Sequence, residues 1–377
     1  MKIEIEHDDF HEAVGRAARA LAQRPATPVL AGMLLQASAG ELRAAAFDFE
    51  LAVRASAPAA VGEPGAVLVS GRLLAEIARV LPKLPITLTA EGTKLALVCG
   101  GYRYTLACMP LAEYPELPDA PPVLGRVAAG AFAAAAGQVA LAADRDDTLP
   151  FLTAARLEFG TEQVRLVATD RYRLALRELP FQPVDAPAPA PAEAMVPARA
   201  LVEAARLFEP GEQVEVSAGE GRFGLRAPGL EVTLRQLEGG FVRYAQLFPE
   251  VYTGGAVLEV APLVEAIKAI ALVAERNTPV RLEFARGQVT VGAGSGDQAV
   301  ASVTLDAEFP HDDPVTIAAN PAYLLDGLGS LGAPYARLRY PEKARPVVLS
   351  GLSAPGGEGE QEDASYRYLF LPVRATG

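Results

Sequence analysis

The chain has 377 residues, half of them apolar, a net charge of −12 and only two cysteines. That length accommodates two or three ordinary domains, each with a sizeable core. The acidic balance excludes a protein that grips nucleic acid by bulk charge, the cysteine usage excludes a disulfide framework and fits a reducing cytoplasm, and no strongly apolar run of about 18 residues offers a membrane span.

The first element, "MKIEIEHDDF", alternates charged and apolar residues as a strand does and lacks the shape of a signal peptide. Phe10 then opens "FHEAVGRAARALAQRPATPVLAGMLLQ": an amphipathic helix pattern, a polar turn, a proline and an apolar strand. Residues 44–52, "AAAFDFELA", form a β run broken by Asp48, and "VSGRLLAEIARVL" (69–81) gives a second helix. Cys99 and Cys108 fall on one expected hairpin. Phe132 opens a second copy of the first plan, "FAAAAGQVALAADRDDTLPFLTAARLEF", and Leu263 a third, "LVEAIKAIALVAERNTPVRLEF". These starts lie 122 and 131 residues apart, too far for a solenoid and right for whole domains. "VPARALVEAARLF" (196–208) and "AANPAYLLDGLGSL" (318–331) repeat the second helix.

The spacing therefore predicts an α+β protein of three similar domains, residues 1–124, 125–252 and 253–377, each made of two helix-plus-antiparallel-sheet halves. The breaks follow "EYPELP" and "RYAQLFP", which correspond. "PVDAPAPAPAEA" (183–194) reads as a mobile Pro/Ala loop, and "APGGEGEQEDAS" (354–365) as a disordered acidic one. Arg72, Glu76 and Arg79 recur as Arg199, Glu203 and Arg206, on one face of each helix. A solvated, ion-paired face explains one such helix; the same spacing in two suggests a shared surface.

No catalytic constellation can be assembled. His7 and His11 share a helix face, but no carboxylate pattern completes a metal site, and His311 stands far off in sequence. "VGAGSGDQ" (291–298) follows a strand but is followed by more β pattern where a nucleotide-binding loop needs a helix, so it reads as a hairpin turn. Asp48, Asp170 and Asp297 occupy comparable turn positions in the three copies, which turn chemistry explains without paired catalytic acids. No cofactor or metal is expected. One stretch stands out: "RLVATDRYRLALREL" (165–179) is a hairpin whose Asp170 turn is followed at once by Arg171, Tyr172 and Arg173. On the residues alone, it is either a solvated turn or a presented binding surface.

The threefold duplication, "RPATPVLAGMLLQ", "VATDRYRLA" and the ending "YRYLFLPVR" together resemble the bacterial sliding clamps, the beta subunits of DNA polymerase III, and especially actinobacterial members. The resemblance runs from Met1 to Arg374. It implies a non-catalytic processivity factor in which two chains close head-to-tail into a ring around double-stranded DNA without reading its sequence. It also implies short-motif partners: the polymerase III alpha subunit, the clamp loader, and other polymerases and repair proteins. Arg24, Arg72, Arg79, Arg199, Arg206 and Lys268 would face DNA on a lining tempered by Glu76, Glu203 and Glu265. Thr169, Arg171, Tyr172, Arg173 and Leu174 would form one wall of a partner-peptide pocket. Leu152 and Pro249 would lie beneath it, and Leu369, Leu371, Pro372, Val373 and Arg374 would form the other wall, with guanidinium groups free to bond the peptide. Better-known members often carry Gly-His where Arg171-Tyr172 stands, methionines at Leu371 and Val373, and an arginine at Leu149. The pocket here is accordingly expected to be tighter and more aliphatic. Ring closure would use the edge strand "YRYTLACMP" with Tyr104 and Leu106 on one side and Leu272 on the other; Leu272 also reads as ordinary helix core. A divergent second clamp, serving one polymerase or a stress response, remains compatible with the same residues. So does a monomeric peptide-binding module.

Overall fold

The computed structural model describes the whole chain except residues 23, 26, 147, 185–191, 273–277, 294–299, 342–345, 356–359 and 374–377. Its helices form where apolar residues recur at helical spacing. α1 (His7–Ala17) buries Phe10, Ala13, Val14 and Ala17, and α2 (Gly71–Val80) buries Gly71, Leu74, Ile77 and Ala78. α3 (Ala129–Ala140) buries Phe132, Ala135, Ala136 and Val139, and α4 (Ala198–Ala205) buries Leu201, Ala204 and Ala205. α5 (Val260–Ala271) buries Leu263, Ala266, Ile267 and Ile270, and α6 (Pro321–Ser330) buries Leu324, Gly327 and Leu328. Asn320 caps α6 by accepting the Ala322 N–H at 2.9 Å, with Pro321 in the first turn. Among the described residues, no helix is long and apolar enough to cross a membrane.

The chain divides into two compact units, the first made of residues 1–133, 158–162 and 180–238, the second of residues 134–157, 163–179 and 239–377. In the first, a 14-stranded sheet runs from Gln182–Pro183 at one edge to Ala60–Glu63 at the other. Within it the strand Leu230–Arg235 joins Leu51–Pro58 antiparallel, with Val232 opposite Val53, so that one copy of the repeat is stitched to the next. Phe10, Met33, Leu35, Leu42 and Leu68 are fully buried in this unit.

The second unit repeats that stitch. The strand Arg173–Pro180 pairs antiparallel with Tyr366–Phe370, placing Leu174 opposite Leu369, and the sheet continues through Val347–Leu352 and Tyr335–Tyr340 to Gly254–Glu259. A Cβ on Gly327 would fall 2.5 Å from the Tyr368 ring, so α6 lies flush on the terminal strand only because that residue has no side chain. Tyr366 donates its hydroxyl to Ser330 Oγ at 2.8 Å and Tyr368 to the Tyr323 carbonyl at 2.9 Å. Burial raises the pKa of both phenols. A separate four-stranded sheet pairs Gln288–Ala293 antiparallel with Ala301–Asp306, Ala293 opposite Ala301, while the glycine-rich turn expected between them lies, from residue 294 to 299, outside the described residues. Asp297 within that stretch, and most of the Pro/Ala loop, lie outside the described residues.

Of the acidic loop expected to be disordered, residues 356–359 lie outside the described residues, and residues 360–363 depart from that expectation. The Glu362 carboxylate accepts from Arg337 (3.0 Å), Arg339 and Ser350 Oγ (2.7 Å), Glu360 pairs with Arg337, and Asp363 pairs with Arg177 at 2.5 Å. Five carboxylate contacts to arginine and serine hold residues 360–363 across the sheet, although composition alone argued against any order there.

Candidate functional site

The turn after Thr169 is a set of local bonds. Asp170 Oδ1 accepts the N–H groups of Tyr172 (3.0 Å) and Arg173 (2.9 Å), while Thr169 Oγ1 donates to the Arg173 carbonyl (2.6 Å) and accepts the Arg171 N–H (3.1 Å). These bonds hold Arg171 at φ +79°, a left-handed conformation uncommon outside glycine. The same device appears at Asp48, which accepts the Glu50 and Leu51 N–H groups at 3.0 and 2.8 Å with Phe49 at φ +75°. The repeated aspartates are thus turn-formers at both described positions.

The turn separates its three large side chains. Arg171 is exposed, and Tyr172, 56% exposed, stacks on Tyr323 with ring centroids 6.5 Å apart. Arg173 points inward and is only 7% exposed. Its Nε donates to Asp170 Oδ2 at 2.9 Å, an η nitrogen donates to Asp326 Oδ2 at 2.5 Å, and the guanidinium lies 4.6 Å from the Tyr323 ring centroid. The expectation that Arg173 rims a groove with free donors is therefore corrected: its side chain is buried and ion-paired with Asp170 and Asp326 within the protomer.

Behind the turn, Val167, Leu174, Leu176, Tyr244, Val348 and Leu369 form a buried apolar cluster, with Phe241, Val242, Phe248 and Tyr252 packed against it half-buried. Beyond Phe370 the Leu371 N–H continues the pairing by reaching the Tyr172 carbonyl at 2.8 Å, and the Val373 N–H then reaches the Ala318 carbonyl, on the strand Val315–Ala319 of the four-stranded sheet, at 2.7 Å. Leu371 and Val373 remain exposed and Pro372 half-buried, an apolar run that directly follows the strand bearing the cluster's Leu369. Leu152 is fully buried in a short 3-10 turn, Pro150–Leu152, and is not part of the cluster. Neither is Pro249, which is half-buried; its neighbour Phe248 takes the place expected of it. Arg374 lies outside the described residues.

Sequence reading missed the contribution of residues 239–253, four of whose aromatic side chains each meet an arginine of the sheet. Phe241 lies under Arg156 (5.9 Å), Phe248 under Arg367 (4.7 Å) and Tyr252 under Arg339 (5.9 Å), and Tyr244 Oη meets Arg165 at 3.4 Å. The signal was present as an aromatic recurring every three or four residues from Phe241 to Tyr252.

The six cations expected to face DNA (Arg24, Arg72, Arg79, Arg199, Arg206 and Lys268) are all exposed. Of these, Arg206 lies 3.8 Å from Glu203, which also lies 3.5 Å from Arg19. At the expected seam Leu272 is 87% exposed and Tyr104 half-buried. Leu106 is corrected: it is 3% exposed, because strand alternation sets it opposite buried Leu95 and turns it into the protomer's own core. Cys99 and Cys108 are free thiols, and among the described residues no group of three His, Cys, Asp or Glu could hold a metal ion. His7 and His11 instead stack on each other, 5.9 Å between centroids.

Residues 1–118, 126–242 and 245–373 match, in order, the N-terminal, central and C-terminal domains of the DNA polymerase III beta subunit. The beta sliding clamp of Streptomyces coelicolor is 46% identical over 386 aligned residues, covering 100% of both chains. The beta sliding clamp homolog GriR of Streptomyces muensis is 39% identical, with 99% of each chain covered. Among solved structures, the DnaN sliding clamp of Pseudomonas aeruginosa bound to griselimycin shares the fold, with a TM-score of 0.90 over 99% of each chain at 23% identity. The chain belongs to the DNA polymerase III beta subunit family, the bacterial beta sliding clamps, which are processivity factors with no catalytic activity of their own.

Proposed function

We propose that this clamp closes with a second copy into a ring around duplex DNA in the cytoplasm, and that the cluster behind the Asp170 turn receives short motifs of polymerase III alpha, the clamp loader and repair proteins. The three domains would span residues 1–124, 125–252 and 253–377, in keeping with the three matched stretches. Thr169, Arg171, Tyr172 and Leu174 would supply one wall of the pocket, and Leu369, Leu371, Pro372, Val373 and Arg374 the other. The observation that carries this reading is the meeting of the two walls: Leu174 opposite Leu369, with the Leu371 N–H on the Tyr172 carbonyl, over an apolar floor. An extended peptide placing Leu or Phe side chains on that floor would be held as apolar anchors usually are.

The seam has support in two open sheet edges. Tyr102–Met109 pairs along its length with Lys94–Cys99 but meets its other neighbour only at Cys108 and Met109, and Ala301–Asp306 is the outer strand of its sheet with Val303 exposed. Edge-to-edge pairing of the two, with Leu272 covered, would close the ring and remove both edges. The exposed arginines and Lys268 would then touch phosphates weakly, as sliding requires.

The test is to load the clamp with its loader onto nicked circular plasmid and then cut the circle. Retention on the circle and release on linearisation are expected, with a solution mass twice that of the chain. Equal retention on linear and circular DNA, or a monomer at micromolar concentration, would overturn the ring.

A further inference from the structure

The strand Gly254–Glu259 ends its sheet. One side pairs with Tyr335–Tyr340, from Gly254 opposite Tyr340 to Glu259 opposite Tyr335. The Val260 N–H bonds the Pro334 carbonyl at 2.9 Å, so by antiparallel alternation Leu258, Ala256 and Gly254 turn their backbone groups to that neighbour, while Val257 and Gly255 turn theirs outward. Val257 has a partner there: it exchanges both backbone bonds with Glu308, at 3.0 and 2.9 Å. Two residues earlier, Gly255 opens onto a groove of about 760 Å³ between this edge and residues 307–311. A ladder thus begins at Val257–Glu308, and its next rung is open.

The groove floor is bare backbone for a steric reason. A Cβ on Gly254 would lie 2.4 Å from the Tyr340 ring, and one on Gly255 2.6 Å from the Leu338 carbonyl. Its walls include Tyr252, buried Phe309 and the His311 ring edge-on to Phe309 at 5.1 Å. Arg286, Arg337 and Arg339 border it, with Glu308 the single carboxylate among the lining residues. Arg337 and Arg339 are held by Glu360 and Glu362, whereas Arg286 faces Asp312 at 3.5 Å with both side chains more than four-fifths exposed. Tyr252 also packs against the apolar cluster behind the Asp170 turn, so groove and cluster share a wall.

We propose that this groove is a second contact for the partner segment whose motif fills the cluster: chain flanking the motif adds to the Gly255 edge as an extended strand, bonding its outward N–H and C=O. The proposal rests on the pocket reading above. Main-chain pairing supplies the affinity, and alternate side chains supply selectivity, apolar ones against Tyr252 and Phe309 and carboxylates toward Arg286. The occupant is therefore an extended segment alternating apolar and acidic residues.

Four fluorescein-labelled peptides test this on the full chain: Gln-Ala-Leu-Asp-Leu alone, the same motif extended by four Val-Glu repeats at one end or the other, and a Val-Lys counterpart of the extension that gains. Anisotropy should show one extension binding about tenfold tighter than the bare motif, and that extension alone should slow hydrogen exchange across residues 252–258. Arg286→Glu should abolish the gain without altering affinity for the bare motif, and a Val-Lys extension should gain less. If the bare motif binds but neither extension adds affinity or protection, the groove proposal is overturned and the pocket stands. If the bare motif fails to bind, the pocket reading falls and the groove proposal with it.

Discussion

The two places where one repeat is stitched to the next are built alike and sealed differently. In the first unit Ala52 stands opposite Thr233 and Arg54 opposite Glu231; at the corresponding positions of the second, Leu174 stands opposite Leu369 and Leu176 opposite Arg367. Arg54 donates to Glu231 at 2.5 Å and to the carbonyls of Pro118 and Leu117 at 2.8 and 2.9 Å, fastening the connecting segment by its backbone. Where Leu176 replaces it, no such clamp is possible, and residues 239–253 lie over the sheet through aromatic rings instead. A backbone-clamped joint offers little to a visiting side chain. An aromatic layer over aliphatic residues offers apolar surface to one, which is why the proposed peptide site is placed at the second joint.

The largest effect is expected at Arg173, whose counterpart in the first joint is Leu51. Removing one partner of a buried ion pair strands the other, so Arg173→Ala should cost about 3–5 kcal/mol in urea unfolding followed by tyrosine fluorescence. An unchanged midpoint with peptide affinity lowered 10- to 100-fold would instead restore Arg173 to a peptide-binding role.

That case shows where sequence reading stops. The repeats, six helices and Asp turns were legible because each is local: apolar periodicity and an Asx bond are fixed within a few residues. Arg173 was misread because its direction depends on Asp326, 153 positions away. Leu106 was misread because alternation fixes which residues share a face but not which face is covered. The acidic segment at Glu362 looked disordered because its partners Arg337, Arg339 and Ser350 precede it on other strands. Residues 239–253 had the aromatic spacing, but only the sheet supplies the arginines that meet those rings.

Exchanging residues between the joints probes the cause of their difference. Leu369→Thr writes the first joint's Thr233 into the second; losing that buried side chain should remove roughly 2 kcal/mol of apolar burial. Affinity for the Gln-Ala-Leu-Asp-Leu peptide should fall roughly thirtyfold by anisotropy if a motif side chain rests there. The reciprocal change, Arg54→Leu, removes the clamp on Leu117 and Pro118 and should cost about 1.5 kcal/mol, less whatever the leucine regains by burial. Hydrogen exchange across residues 114–119 should quicken while peptide affinity at the second joint holds. Exchange at wild-type rates would mean that the first joint's segment is held by Tyr114 and Leu117 packing on Leu34 and Ala45.

The smallest effect concerns the acidic strap beside the second joint. Desolvation pushes the Glu362 carboxyl up, but hydrogen bonds from Ser350 and Arg339 and the charges of Arg339 and Arg337 outweigh it, so its pKa lies below the ordinary 4.5. Asp363 is lowered from 3.8 in the same way, by Ser365 and Arg177 against desolvation. A carboxyl whose folded pKa is depressed contributes stability that is complete above its unfolded value and lost as pH falls through the folded one. The strap should therefore stay in place from neutral pH to about 4.5 and release below it. Hydrogen exchange at residues 361–365, corrected for the intrinsic pH dependence, should quicken there while the strand Tyr366–Phe370 stays protected. Glu362→Gln should release the strap at neutral pH. Because the strap's partners include Arg337 and Arg339 but none of the cluster behind Asp170, affinity for the bare motif should be the same in both proteins. A Glu362→Gln strap that stayed protected at neutral pH would show that its backbone bonds, Ser353 to Gln361 and Asp363 to Gly351, suffice without that charge.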